Sequence, residues 1–206
     1  MQDLLTAGLE SLGLDPAQQP CNQYLKYIEL LHKWNQAYNL TALKQPEQML
    51  SRHALDSLSV LSFIEGKCCL DIGTGAGLPG LILAMALPDT EWTLLDSNQK
   101  KIRFLQHVKA ELHINNVEVV HSRVEDFIPD SEFNTIICRA FAPINRMLKF
   151  AQHLITKDNQ LLAMKGKTIE AELEESETQE FIIKINDIAI DNEDSSAKLV
   201  QIRRAG

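Results

Sequence analysis

Long apolar runs are missing from this 206-residue chain: no stretch approaches the ~18 consecutive apolar residues of a membrane-spanning helix, so a helical membrane span is excluded. Cysteine is scarce. Of the four present, Cys68 and Cys69 are adjacent on an apolar run while Cys21 and Cys138 stand alone. With no C-x-x-C pair and no Cys/His ligand spacing, neither a disulfide framework nor a metal site is expected. Positive charge is also short, 20 Lys and Arg against 28 Asp and Glu for a net charge of -8, which argues against a generic nucleic-acid binder. Residues 168–206 hold ten acids and four bases, leaving 18 acids and 16 bases in the first 167. A near-neutral body can still grip a specific polyanion through local basic clusters, because phosphate affinity depends on charge at the contact. The opening Met1-Gln2-Asp3-Leu4 has no basic region leading into an apolar stretch, so the cytoplasm is the expected compartment.

The chain does have the composition of an ordinary folded domain, 45% hydrophobic and 23% charged, without repeats or low-complexity tracts. Its first 64 residues are expected to be helical, with Leu25, Ile28, Leu30, Leu31 and Trp34 at three- and four-residue spacing. The helices break at Asn39-Leu40-Thr41-Ala42, resume after Pro46 and close at Gly66. From Lys67 short apolar runs alternate with amphipathic stretches: Cys68–Ile72, 78–87, Trp92–Leu95, 98–112, 117–120, 124–127, 135–138, 143–155 and 161–164. That alternation predicts a mostly parallel α/β sheet. The last two runs, 181–190 and 198–202, are joined by the polar stretch 191–197, which favours an antiparallel hairpin at one sheet edge. The expected organisation is therefore a helical segment, 1–64, packed on a catalytic domain, 65–206.

The sharpest feature is Asp71-Ile72-Gly73-Thr74-Gly75-Ala76-Gly77-Leu78-Pro79-Gly80, where the first apolar strand gives way to a helix. Glycines there permit positive φ and close backbone approach, and a helix start offers unpaired amides to a ligand. Twenty-one residues beyond Gly75, Asp96 ends the second strand beside this loop, able to accept both hydroxyls of a ribose. Ser122–Asp126 follows the next strand and would border an adenine ring. Gly75–Gly80 also satisfies the dinucleotide pattern G-x-G-x-x-G, so a nicotinamide-dependent oxidoreductase is the competing reading, and a simple strand-to-helix turn the bland one. Asp71 before the loop and the terminal hairpin favour S-adenosyl-L-methionine: a carboxylate can pair with a methionyl amino group, a charge absent from a pyrophosphate.

Trp34-Asn35, Asn39-Leu40-Thr41, Arg52-His53-x-Leu55-Asp56-Ser57-Leu58, the loop from Asp71 to Gly80, Asp96-Ser97-x-x-Lys100-Lys101, Ser122-Arg123-x-Glu125, Arg139-Ala140-Phe141-Ala142 and Lys165-Gly166 together make the chain resemble the RsmG (GidB) family, bacterial 16S ribosomal RNA guanine-N7 methyltransferases. The resemblance spans nearly the whole length. It implies a Rossmann-like class I methyltransferase sheet, cofactor contacts at Gly73, Leu78, the Val124-Glu125 backbone and Arg139, and guanine 527 as target. Two departures are visible: Cys138 where serine is usual, and Thr156-Lys157-Asp158-Asn159 in place of a glycine turn before the fifth strand.

Guanine N7 carries a free lone pair and no proton, so methyl transfer to it needs alignment and desolvation more than a base. No catalytic acid or base is therefore assigned, and Arg139 and Lys165 stand as positioning candidates. Cofactor binding is assigned to Asp71, Gly73, Gly75, Gly77, Leu78, Asp96, Val124, Glu125 and Arg139. The expected RNA contacts are Asn39, Arg52, His53, Lys100, Lys101, Arg123 and Lys165, with Arg103, Arg146 and Lys167 as further basic residues nearby. His53 either stacks on a flipped base or caps a helix. Trp34 is expected in the core, and an isolated Cys138 reads as packing rather than as a covalent nucleophile. The expected partner is 16S ribosomal RNA or the small-subunit particle, met by a monomer. A cofactor-responsive RNA-binding module without turnover is the third reading.

Overall fold

A computed structural model describes residues 1–166, 169, 172, 180–188 and 197–205. The N-terminal third is helical: α1 (Gln2–Ser11), α2 (Cys21–Tyr38), α3 (Pro46–Met49), a π-helical turn (Leu50–Leu55) and α4 (Asp56–Leu58). Then come β1 (Cys68–Ile72), α5 (Gly80–Ala86), β2 (Glu91–Asp96), α6 (Gln99–Glu111), β3 (Val117–His121), β4 (Thr135–Arg139), α7 (Ile144–Ala151), β5 (Gln160–Lys165), β6 (Phe181–Asp187) and β7 (Lys198–Arg204). The seven strands lie in the order β3-β2-β1-β4-β5-β7-β6. The first five are parallel, and β7 inserts antiparallel between β5 and β6. Parallel strands buried on both faces read as continuous apolar runs, as Ile136-Ile137-Cys138 and Leu161-Leu162-Ala163 do.

One core joins the N-terminal helices to the sheet. Leu5, Leu9, Tyr24, Tyr27, Ile28 and Leu31 pack with Leu81, Leu94, Phe104 and Leu105 on one face. Ile144, Met147 and Ala151 of α7 cover the other, against Leu70, Ile136 and Leu161. The buried residues of α2 are Tyr24, Tyr27, Ile28, Leu30, Leu31 and Asn35, which keeps Ile28, Leu30 and Leu31 of the expected stripe and leaves Leu25 and Trp34 on its flank. Tyrosine and asparagine hold inward positions because partners satisfy their polar ends: Tyr27 Oη donates to Ala76 O at 2.8 Å and Asn35 Nδ2 to Leu43 O at 2.9 Å. Trp34, half-buried, stacks with the rings of Tyr38, Phe104 and His107.

The apolar run at 124–127 forms a single 3-10 turn, Val124–Asp126, and not an extended element. Asn159 does the work of the missing glycine turn: its Oδ1 accepts from Thr156 N at 3.0 Å and its Nδ2 donates to Leu154 O at 2.8 Å. Cys138 is packed with its sulfur 3.2 Å from Met147 Sδ, and burial pushes its thiol up to about 12, which suits packing and not nucleophilic attack. The connection 191–196 and Lys167 lie outside the described residues.

Candidate active site

The carboxyl ends of β1, β2 and β4 open onto a cleft of about 420 Å3, within the usual range of small-molecule sites. Ile72, Gly73, Leu95, Asp96, Val124, Glu125 and Phe141 line it, with Lys101, Arg123 and Arg146 at its rim. A crevice beyond strand ends, beside the point where strand order reverses at β1, is where open α/β sheets bind ligands.

Of the glycine loop, Gly73 lines this cleft, whereas Gly77 backs onto Leu81 and Leu105, and the loop uses its own donors. Gly73 N and Thr74 N donate to Leu95 O, Gly77 N and Leu78 N to Thr74 O, and Leu81 N to Gly77 O. Gly75 N donates to Asp96 Oδ2 at 2.8 Å, and Gly80 N to Asp71 Oδ2 at 2.8 Å. The expectation of free amides at the helix start is corrected here. Pro79 has no N–H, the Gly80 amide is occupied by Asp71, and the loop presents shape instead of a row of donors. At Gly75 (φ +64°) an added Cβ would find nothing nearer than Lys101 Nζ at 3.7 Å, so the missing side chain leaves room on the cleft side. The Phe141 ring packs directly against Gly73 from above.

Asp71 plays a different part from that anticipated, whereas Asp96 stands at the cleft where it was expected. Asp71 is fully buried beneath the loop; its Oδ2 also accepts from Thr74 Oγ1 at 2.7 Å, while its Oδ1 is sealed from solvent with no hydrogen-bond partner among the described residues. In this conformation it offers no oxygen to a ligand in the cleft, and pins the loop to the helix instead. Burial raises its carboxyl to about 6, against the lowering pull of the Thr74 and Gly80 hydrogen bonds and of Arg139. Asp96 lines the cleft at 6% exposure, with Oδ1 accepting from Asn98 N at 2.8 Å and Lys101 Nζ 3.6 Å from Oδ2. A carboxylate has about four lone-pair sites, so Asp96 retains acceptor capacity for hydroxyls.

Arg139, expected at the cofactor, does not line this cleft. It leaves β4 immediately before Ala140, whose φ of +50° turns the chain over the loop. Its guanidinium faces the N-terminal helices: Nη1 donates to Arg52 O at 3.1 Å and Nη2 lies 3.2 Å from His53 Nδ1. His53 Nδ1 also lies 3.0 Å from Arg52 O, so the Arg52 carbonyl and the Arg139 guanidinium both meet it, and His53 Nε2 shares a hydrogen bond with Thr41 Oγ1 at 2.8 Å. Thr41 N in turn donates to Asn35 Oδ1 at 2.9 Å. Burial, with Arg139 beside it, lowers His53 to about 4, so the ring is neutral at pH 7. His53 thus neither caps a helix nor stands free to stack on a base. It links Arg139 to the break between α2 and α3, which begins at Asn39 in the left-handed conformation (φ +50°).

The remaining assigned residues divide. Lys101, Arg123, Val124 and Glu125 meet at the cleft, Lys100 is exposed at the start of α6, and Arg52 is exposed on the π-helical turn. Lys165 is turned inward, its Nζ donating to Ala142 O at 2.5 Å and pairing with Glu172 at 2.8 Å, which holds the segment after β4 and leaves the amine only 10% exposed. Leu78, with its amide engaged, lies behind the cleft wall and not along it. Sequence reasoning missed Phe141 and Tyr27 as site-builders. Tyr27 was detectable, since it falls in phase with Tyr24, Ile28, Leu31 and Asn35.

A second cavity, of about 520 Å3, lies on the other side of the Ala140–Pro143 segment, with Asp56 and Arg139 on one wall and Met164, Lys165 and Glu172 on another. Asp56 Oδ1 is buried with no hydrogen-bond partner among the described residues. Burial raises its carboxyl, while Arg139 and Arg52 pull it down.

Comparison with known proteins brings these observations together. The family model described as "rRNA small subunit methyltransferase G" matches residues 20–200. Proteins of that name from Hahella chejuensis and Nitrosococcus oceani are 42% and 44% identical, covering 98% and 100% of this chain and 93% and 97% of theirs. The one from Pseudomonas fluorescens is 51% identical over 79% of this chain and 76% of its own. Among solved structures, a magnesium protoporphyrin IX methyltransferase from Synechocystis superposes with a TM-score of 0.64 at 13% identity, over 87% of this chain and 97% of that one. A methyltransferase from Aquifex aeolicus gives 0.58 at 17%, over 80% and 96%. These two show the shared fold.

Proposed function

This chain belongs to the rRNA small subunit methyltransferase G family, and on that premise we propose that it transfers a methyl group from S-adenosyl-L-methionine to N7 of a guanine, position 527, in 16S ribosomal RNA. The observation that carries the cofactor reading is the glycine loop whose amides at Gly73, Thr74, Gly75, Gly77, Leu78 and Gly80 are used internally while Asp96 and Glu125 face the cleft. A dinucleotide would need free amides at the helix start for its pyrophosphate. A phosphate-free nucleoside sulfonium needs a shaped floor, an apolar slot and acceptors for ribose hydroxyls, and Ile72, Leu95, Val124 and the two carboxylates supply these. The nicotinamide reading is not favoured.

When bound, the cofactor supplies an electrophilic methyl group. Asp96 and Glu125 would hold its hydroxyls and Gly73, Gly75 and Phe141 its flat surfaces. The Ala140–Pro143 segment, which follows Arg139 and its contacts to His53 and Arg52, borders both this cleft and the second cavity, so that the two adjoin. Proton removal has no part in the reaction, which suits a neutral His53 and a protonated Cys138. Orientation can supply ~7 to 11 kcal/mol of barrier reduction in favourable cases. Lys100, Lys101 and Arg123 form the basic rim facing the RNA backbone. The residue roles and the division at residue 64 belong to this proposal.

Incubation with methyl-labelled cofactor and undermethylated small-subunit RNA or particles, followed by mass mapping, tests it. Label at N7 of one guanine is expected; label elsewhere, or binding without turnover, would overturn it.

A further inference from the structure

The Arg52-His53-x-x-Asp56-Ser57 stretch contains one group that neither the cofactor cleft nor the Arg139 brace uses. Asp56 lines the 520 Å3 cavity that shares Ala140, Ala142 and Pro143 with the cofactor cleft. It follows a π-helical turn, an irregularity often found at functional positions. Its Oδ1 is closed off from solvent and accepts no hydrogen bond among the described residues. A buried acceptor left unmet costs ~1–3 kcal/mol, a cost that an incoming donor removes.

The chemistry of the four RNA bases narrows what that donor is. A carboxylate accepts two hydrogen bonds side by side. Guanine's Watson–Crick edge presents N1–H and an N2 amino hydrogen next to one another. Adenine and cytosine each place a ring-nitrogen acceptor beside their amino group, and uracil has a single N–H between two carbonyls. Guanine N7 lies on the opposite edge, so a base held through N1 and N2 keeps N7 free. We propose, resting on the guanine-N7 reading above, that Asp56 is the specificity-determining residue of this enzyme: it accepts N1–H and N2–H of the flipped guanine in the cavity beside the cofactor cleft. Burial raises the Asp56 carboxyl, and Arg139 and Arg52 oppose that rise.

The test replaces guanine at the target position by inosine, which lacks only the N2 amino group. Wild type and Asp56→Asn are compared on both substrates, with cofactor affinity and thermal midpoint measured alongside. Wild type is expected to lose roughly 10- to 100-fold in kcat/KM on inosine, the size of one hydrogen bond to a charged group. In Asp56→Asn the guanine rate falls and the guanine-to-inosine ratio collapses towards one, while cofactor affinity is kept. Equal rates of wild type on the two bases would overturn the proposal without any variant. So would a variant that is slower on both bases with the ratio unchanged, the mark of a structural role, or one that loses cofactor affinity instead, the mark of a contact to the methionyl amino group. Absence of methylation of the guanine substrate by wild type would reject the parent reading, a result distinct from all of these.

Discussion

The two cavities on either side of the Ala140–Pro143 segment are built on opposite principles. In the cofactor cleft the loop amides and both oxygens of Asp96 already have partners, so a ligand meets a finished surface and is selected by shape, apolar contact and spare acceptor capacity. In the second cavity a carboxylate oxygen is buried with its bond unmade. A satisfied surface stays rigid and tolerates exchange of a ligand at every turnover. An unsatisfied one raises the free energy of the empty state and discriminates sharply, since the wrong base leaves the group unpaired. A methyltransferase needs both, one site for a cofactor it must release and one for a base it must not mistake.

The severest challenge to the shape argument comes from alanine substitutions in the loop. At Gly77 (φ +93°) a Cβ would lie 2.8 Å from both Leu81 Cβ and Leu105 Cδ2, so Gly77→Ala should cost about 3 kcal/mol of stability, seen in thermal or urea unfolding. At Gly75 the same change meets open space and should cost only the ~1–2 kcal/mol of left-handed strain. Cofactor affinity should nevertheless fall at least 10-fold in Gly75→Ala by calorimetry, because the new methyl stands beside Lys101, which lines the cleft. Unaltered affinity there would mean that the loop is a strand-to-helix turn and not a ligand surface.

A smaller effect separates spare acceptor capacity from scaffolding. Asp96→Asn retains one oxygen to accept from a backbone amide but loses the charge that strengthens a hydroxyl contact. Cofactor affinity is expected to drop by about 1.5–3 kcal/mol, with unfolding free energy changed by less than about 1 kcal/mol. If stability falls as far as affinity, Asp96 serves chiefly to hold Gly75 and Asn98.

The mostly parallel sheet with its antiparallel edge pair and the glycine loop were legible because parallel strands and tight turns impose local rules: apolar runs of four to six residues, glycines where φ is positive, an acid at the next strand end. The brace around Arg139 was not. Arg139 was expected at the cofactor, yet its guanidinium donates to Arg52 O and lies 3.2 Å from His53 Nδ1. That pairing depends on a π-helical turn more than 80 positions away in sequence, and no local period announces it. Asp71 misled for a similar reason. A carboxylate before a glycine loop looks the same in sequence whether it faces the ligand or lies under the turn, and only the bonds from Thr74 and Gly80 decide. Lys165 illustrates the limit on charge, since a lysine at a strand end reads as a phosphate contact until Glu172 and Ala142 O claim it.

The smallest expected effect is a pH dependence in which the two sides of the segment oppose each other. His53, lowered from 6.5 to about 4 by burial and by Arg139, contributes stability that is present above pH 6.5 and lost as pH falls through 4, because the unfolded chain takes up the proton first. Asp71, raised from 3.8 to about 6, acts in the reverse sense: its contribution is complete below pH 3.8 and lost as pH rises through 6. Over pH 4 to 6.5 the two therefore offset one another, and unfolding free energy measured by urea titration should vary less in wild type than in either variant. His53→Gln removes the first, so its stability relative to wild type should improve on acidification by on the order of 1–2 kcal/mol, discounted for the partial exposure of the ring. Asp71→Asn removes the second, and its stability relative to wild type should decline over the same interval. If both variants shift in the same direction, His53 is not held neutral by burial and Arg139, and the brace beside the two cavities has to be reassigned.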